Sequence, residues 1–93
     1  MNSNESKNSF RVVVYPKAHK SLLALPKHIQ VMIKNSLRLL EAGGDLPRVK
    51  PLTGNWFGCF SWRFGVYRVI FEIDQAEKVF IVIRVGHRSK VYD

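Results

Sequence analysis

The sequence predicts an α+β domain, β-α-α-β-β-β, with an antiparallel sheet and a two-helix hairpin packed on one face. Three observations carry this reading. Apolar residues recur at helical spacing between Pro16 and Leu40. From about Phe57 onward the chain is rich in aromatic and β-branched residues in strand-like runs. The connections in that half are short, which makes successive strands antiparallel neighbours.

Phe10 to Tyr15 is Val- and aromatic-rich and reads as the first strand. Pro16 fits the first position of a helix, which carries Ala18, Leu22 and Leu25 on one side. Pro26 breaks that helix and starts a second, where Ile29, Met32, Ile33, Ser36, Leu37 and Leu40 share a face. Gly43-Gly44 ends it. Asp45 to Asn55, punctuated by Pro47, Pro51 and Gly54, reads as a loop that carries Arg48 and Lys50. Three strands follow, at about Phe57–Phe64, Val66–Ile73 and Lys78–Val85. Residues 1–9 are expected to be a polar, disordered lead-in and residues 10–93 a single domain.

The 93 residues carry 15 Lys and Arg against 7 Asp and Glu, a formal charge of +8. So basic a small domain favours an anionic partner, either nucleic acid or an acidic protein. The single cysteine, Cys59, excludes an internal disulfide and completes no zinc set with the histidines. Its expected role is that of a small buried hydrophobe, and the chain reads as cytoplasmic. No apolar run approaches the ~18 residues of a membrane span, and the polar N-terminus is expected to be neither a signal peptide nor a membrane anchor.

The pleat places side chains. With Gly65-Val66 as a two-residue type II′ turn, Phe64 opposes Tyr67, Trp62 opposes Val69 and Phe60 opposes Phe71, all facing the core. On the other face Arg63 opposes Arg68. If Ile73 pairs with Val79, Arg84 falls opposite Arg68, and Arg63, Arg68 and Arg84 form a row. Like charges directly opposite destabilise a sheet by a few tenths to about 1 kcal/mol per pair. A phosphate would relieve that repulsion.

The apolar run Val79–Ile83 opens into Gly86-His87-Arg88-Ser89-Lys90-Val91-Tyr92. This tail is expected to leave the sheet at the end of the arginine row. Imidazole, guanidinium, ammonium and phenol are groups suited to bind a phosphate and move protons around it. Nearby positive charge favours a neutral His87 able to accept a proton. Tyr92 is an acid or base, a base-stacking platform, or a ring on the core edge.

The element order, the segment Trp62-Arg63-Phe64-Gly65-Val66-Tyr67-Arg68-Val69-Ile70-Phe71-Glu72-Ile73 and the ending Arg84–Tyr92 resemble the RelE/ParE toxin superfamily, more its RelE branch than its ParE branch. The resemblance implies the toxin of a type II toxin–antitoxin pair. It implies a metal-independent endoribonuclease, without cofactor, that cuts mRNA in the ribosomal A site by 2′-hydroxyl attack on the adjacent phosphate. The implied partners are a cognate antitoxin, mRNA and rRNA. Carried over, Arg63, Arg68, His87, Arg88 and Tyr92 are the candidate catalytic residues. Arg48, Lys50, Arg84 and Lys90 are the candidate phosphate-binding residues. Ser61 departs from the pattern, because strongly catalytic relatives carry a Lys or Arg there; Lys50, His87 or Lys90 then fills that role, or the activity is weaker or differently directed. A gyrase poison of the ParE kind and a non-catalytic binding module are the rival expectations.

Overall fold

The structure is a computed structural model that describes residues 9–93. The lead-in expected at 1–9 therefore lies outside the described residues except for Ser9. The elements are β1 (Arg11–Val14), α1 (Pro16–Leu23), α2 (Lys27–Glu41), β2 (Val49–Pro51), a 3-10 turn (Gly54–Trp56), β3 (Phe60–Phe64), β4 (Tyr67–Asp74) and β5 (Val79–His87). They form one five-stranded sheet in the order β1-β5-β4-β3-β2.

The α+β class and the helices on one face are as the sequence predicts. The sheet itself is mixed rather than wholly antiparallel, because β1 runs parallel to β5, with Val12 beside Phe80 and Val14 beside Val82. Alternation in a short strand reports which residues face inward, not the strand's direction. β2 is an additional strand, in the segment expected to be loop. Its three residues are exposed and end in a proline, so neither burial nor propensity marks it.

Pro16 occupies the start of α1, where its missing N–H has no helical partner to lose. The helices bury Ala18, Leu22, Ile33, Leu37 and Leu40 against Trp62, Val69, Phe71, Phe80, Val82 and Val85. Phe71 stacks on Phe80 at 4.1 Å between ring centroids and on Phe60 at 5.6 Å. Met32, expected to face inward, is half exposed, while Gln30 is buried. The Gln30 amide Nε2 donates to the carbonyls of Leu23 (3.2 Å) and Leu25 (2.8 Å). It thereby satisfies carbonyls that the end of α1 leaves without helical donors. Gly43, at φ 97°, ends α2. Its N–H donates to Leu40 and that of Gly44 to Leu39, a Schellman closure.

The β3–β4 register is the expected one, with Arg63 opposite Arg68 and Ser61 opposite Ile70. Gly65 takes φ 61°, as the first position of a II′ turn requires. The β4–β5 register differs from expectation. Asp74 pairs with Val79, Ile73 with Phe80, Ile70 with Arg84, Arg68 with Gly86 and Tyr67 with His87, and the pairing shifts between Ile70 and Phe71. Ile83 is the extra residue, so β5 carries a bulge. The bulge lets both Val82 and Val85 face the helices although they are three positions apart. A run that is apolar at every position cannot report such a phase change.

The face away from the helices is not bare. Cys59, Ile70 and Val91 are buried there, with Leu52, Trp56 and Ile83 packed against them. The tail folds back to supply Val91, closed by bonds from the N–H groups of Lys90 and Val91 to the His87 carbonyl.

Candidate nucleic-acid interface

β2 completes the site by adding Lys50 beside Ser61 and Val49 beside Trp62. Two cross-strand rows result on the face away from the helices. One runs Lys50, Ser61, Ile70, Arg84, and the next runs Arg63, Arg68, Gly86. Arg84 is thus on the expected face but one pleat step from the position opposite Arg68. The expected straight row of Arg63, Arg68 and Arg84 is corrected to a pair, because Val79 pairs with Asp74 instead of Ile73 and the bulge at Ile83 adds a second step, which together set Gly86 against Arg68.

Arg48, Val49, Lys50, Ser61, Arg63 and Arg68 line one pocket of about 270 Å³. Four cations surround Ser61, which is only 2% exposed. Arg68 is held in place, since its Nη1 donates to the carbonyls of Gly65 (3.3 Å) and Tyr67 (3.1 Å). Arg48 sits at φ 59°, a left-handed backbone that non-glycine residues seldom adopt. The Arg63 N–H, which donates to its carbonyl at 3.2 Å, helps to fix it. Strain of this kind, at the rim of a cationic pocket, fits a backbone shaped for a ligand. Four cations around one small concavity, Arg68 among them held by two carbonyls, match an oxyanion with charge spread over several oxygens.

The tail residues fall into two groups. The Arg88 N–H donates to the Val66 carbonyl at 2.7 Å, which brings Arg88 to the same turn that anchors Arg68. His87 pairs with Tyr67, and the two rings meet edge to face at 6.0 Å. The pleat therefore puts His87 on the face opposite Arg68, at the strand's end. Its Nδ1 accepts from the Ser89 N–H at 3.1 Å and lies 2.8 Å from the Ser89 hydroxyl.

Arg84 and Tyr92 gather instead around Trp56. The Arg84 guanidinium lies over the Trp56 ring at 5.3 Å and donates to the Asp93 carbonyl. Tyr92 meets Trp56 edge-on at 5.6 Å. Lys90 lines a separate groove with Lys17, Ser21, Arg84 and Asp93. Sequence reasoning missed Trp56 as an organiser of the tail; a lone Trp between two loop glycines, Gly54 and Gly58, was the available signal.

Beneath the site, Cys59 is buried as expected. Burial raises its thiol pKa, and the Glu72 carboxylate, 3.9 Å from the sulfur, raises it further by charge and hydrogen bonding. Among the described residues no cluster of three or more His, Cys, Asp or Glu could hold a metal. No helix among them is long and apolar enough to cross a membrane.

Residues 12–92 match the family model of the ParE toxin of type II toxin–antitoxin systems. The chain belongs to that family. Among relatives of this ParE-family toxin, Toxin RelG of Mycobacterium tuberculosis is 39% identical over 56 residues, which span 55% of this chain and 64% of RelG. The toxin in the RelBE2 toxin–antitoxin complex of M. tuberculosis superposes with a TM-score of 0.73 at 29% identity, covering 86% of this chain and 99% of that one. The archaeal RelE–RelB complex of Pyrococcus horikoshii gives 0.72 at 27% identity, over 88% and 98%. The ParE-family toxin described here thus has the RelE-like fold that its sequence predicts.

Proposed function

We propose that this toxin is a ribosome-dependent endoribonuclease that cuts mRNA in the A site. The observation that carries the reading is the pocket of Arg48, Lys50, Arg63 and Arg68 over Ser61. In-line attack of a 2′-hydroxyl on the adjacent phosphate builds negative charge on the phosphoryl oxygens. Breaking the bond to the 5′-oxygen then leaves a 2′,3′-cyclic phosphate and a 5′-hydroxyl. The cations stabilise that developing charge in place of a metal. Lys50 supplies the ammonium that position 61 lacks, from the neighbouring strand. Arg88, at the turn that anchors Arg68, is the tail's candidate for the reacting phosphate, whereas His87, on the opposite face, and Tyr92, against Trp56, stand outside the pocket's lining. Arg84 and Lys90 extend the basic surface toward rRNA, in keeping with the net charge of +8. Work on ribosomes would place the protein in the cytoplasm.

The partner that holds the toxin silent is a protein antitoxin, as in the similar structures, which are toxin–antitoxin complexes. An acidic or amphipathic antitoxin segment suits the basic face. Primer extension on programmed ribosomes tests the activity, with the same mRNA free of ribosomes beside it. Cleavage on ribosomes alone, abolished by Arg68→Ala, is expected. Intact mRNA in both reactions overturns the reading. A rise in the DNA-damage response with intact mRNA would point to a gyrase poison, and salt-dependent binding without product to a non-catalytic module.

A further inference from the structure

Phe57 is 84% exposed, far more than any other large apolar side chain among the described residues. Its backbone is nevertheless well determined. The loop from Leu52 to Cys59 is closed at its base by the Leu52 N–H to the Cys59 carbonyl (2.9 Å). Inside it the N–H groups of Trp56, Phe57 and Cys59 donate to Thr53, Gly54 and Trp56. Gly54 at φ 64° and Gly58 at φ 95° take backbone angles that favour glycine. Leu52, Trp56 and Cys59 fasten the loop to Ile70 and Val91 on the face away from the helices. The chain thus turns Trp56 inward and Phe57 outward from one rigid tip.

The base of that loop adjoins the cationic pocket. The Leu52–Cys59 closure lies two residues along β2 and β3 from the Lys50–Ser61 pair, about 7 Å at ~3.4 Å per residue. That is close to the spacing of successive phosphates in an extended single strand. A rigid aromatic ring with a free face, on a loop whose base lies one nucleotide step from a phosphate cradle, is the arrangement by which proteins hold unpaired bases.

We propose that Phe57 is a stacking platform for the base of a nucleotide close in sequence to the one whose phosphate occupies the pocket. The ligand class is single-stranded RNA, and the contact is sequence-tolerant, because every base offers a π face. This inference rests on the pocket binding RNA, but not on the RNA being cut.

The test titrates purified toxin into a short labelled single-stranded RNA and follows anisotropy at several salt concentrations. Phe57→Ala should weaken binding about tenfold and leave the salt slope unchanged, while Phe57→Trp should retain affinity. In RNA with one abasic position walked along the strand, the Phe57→Ala penalty should vanish at a single position. Equal affinity of Phe57→Ala and wild type overturns the proposal, as does the same penalty at every abasic position. A Phe57→Ala defect seen with antitoxin but not RNA also overturns it and assigns the ring to the protein partner. If RNA binding shows the stacking signature while ribosome assays show no cleavage, the endonuclease reading fails and the platform stands. If wild type binds no free RNA at all, the platform fails, and the ribosome assay decides the endonuclease reading by itself.

Discussion

Lys50 is the cross-strand neighbour of Ser61, on a three-residue strand that pairs with β3 and holds both residues in one pocket. An ammonium one strand away can reach the same phosphate as a basic residue at position 61. On the proposed activity, Lys50→Ala should lower single-turnover cleavage on ribosomes by at least about tenfold. It should also reduce the salt slope of RNA binding by about one. Lys50→Ala combined with Ser61→Lys should recover much of the loss. Wild-type cleavage by Lys50→Ala would remove Lys50 from the site.

Arg63 faces Arg68 directly, and of the two only Arg68 has its guanidinium bonded to carbonyls of the described residues. Arg63→Ala should therefore relieve repulsion without losing such bonds. A gain of a few tenths to about 1 kcal/mol is expected in urea unfolding, with weaker RNA binding. Improved stability alongside impaired function is the mark of a site that trades one for the other. An unchanged or lower unfolding midpoint would mean that the two charges are already screened by solvent.

The helix hairpin depends on one buried amide. Gln30→Leu keeps the volume but leaves the Leu23 and Leu25 carbonyls without their donor. A loss of about 1–3 kcal/mol is expected. Met32→Gln, on the half-exposed face of the same helix, should change stability by no more than about 0.5 kcal/mol. Denaturant unfolding of the two variants side by side decides whether position 30 or position 32 carries the inward role.

Cys59 gives a pH-dependent signature. Its thiol is held above the ordinary value of 9.0, first by burial and then by Glu72. As pH rises through that ordinary value, the unfolded chain loses the thiol proton while the folded protein keeps it. The unfolded state then binds fewer protons, so this group's contribution to stability is full below pH 9 and falls above it. Alkylation of native protein should be slow and shifted to higher pH than in the denatured chain, and Glu72→Gln should bring the profile part of the way back. Native and denatured profiles that coincide would contradict the shift.

Much of this fold is legible in the sequence because local chemistry and burial agree. Pro16 and Gly43-Gly44 mark helix ends, and Gly65 fixes a two-residue turn whose register leaves every core-facing pair apolar. The Arg63–Arg68 pair follows from that turn alone. Arg84 falls outside the expected row because Val79–Ile83 is apolar on both faces, and neither the one-residue shift in where the β4–β5 ladder starts nor the bulge within the run leaves a trace in such a pattern. Lys50 could be named as a basic loop residue but not placed, since β2 exists only through its pairing with β3. The tail's division between Arg88 at the turn and Tyr92 at Trp56 depends on how the chain folds back after Gly86, which local pattern does not encode.

The parallel pairing of Arg11 with Val79 has a consequence for how the molecule comes into being. β5 is nearly the last element synthesised, yet it lies between β1 and β4. The first strand waits, unpaired on that side, while almost all of the intervening chain is made. Contacts so distant in sequence close slowly, after the local helices and hairpin have formed. The arginine pair can form with the β3–β4 hairpin, but Arg88 and the tail reach it only after β5 has docked. In refolding, the β3–β4 hairpin can therefore bring the arginine pair together before β5 docks and adds Arg88 at the same turn.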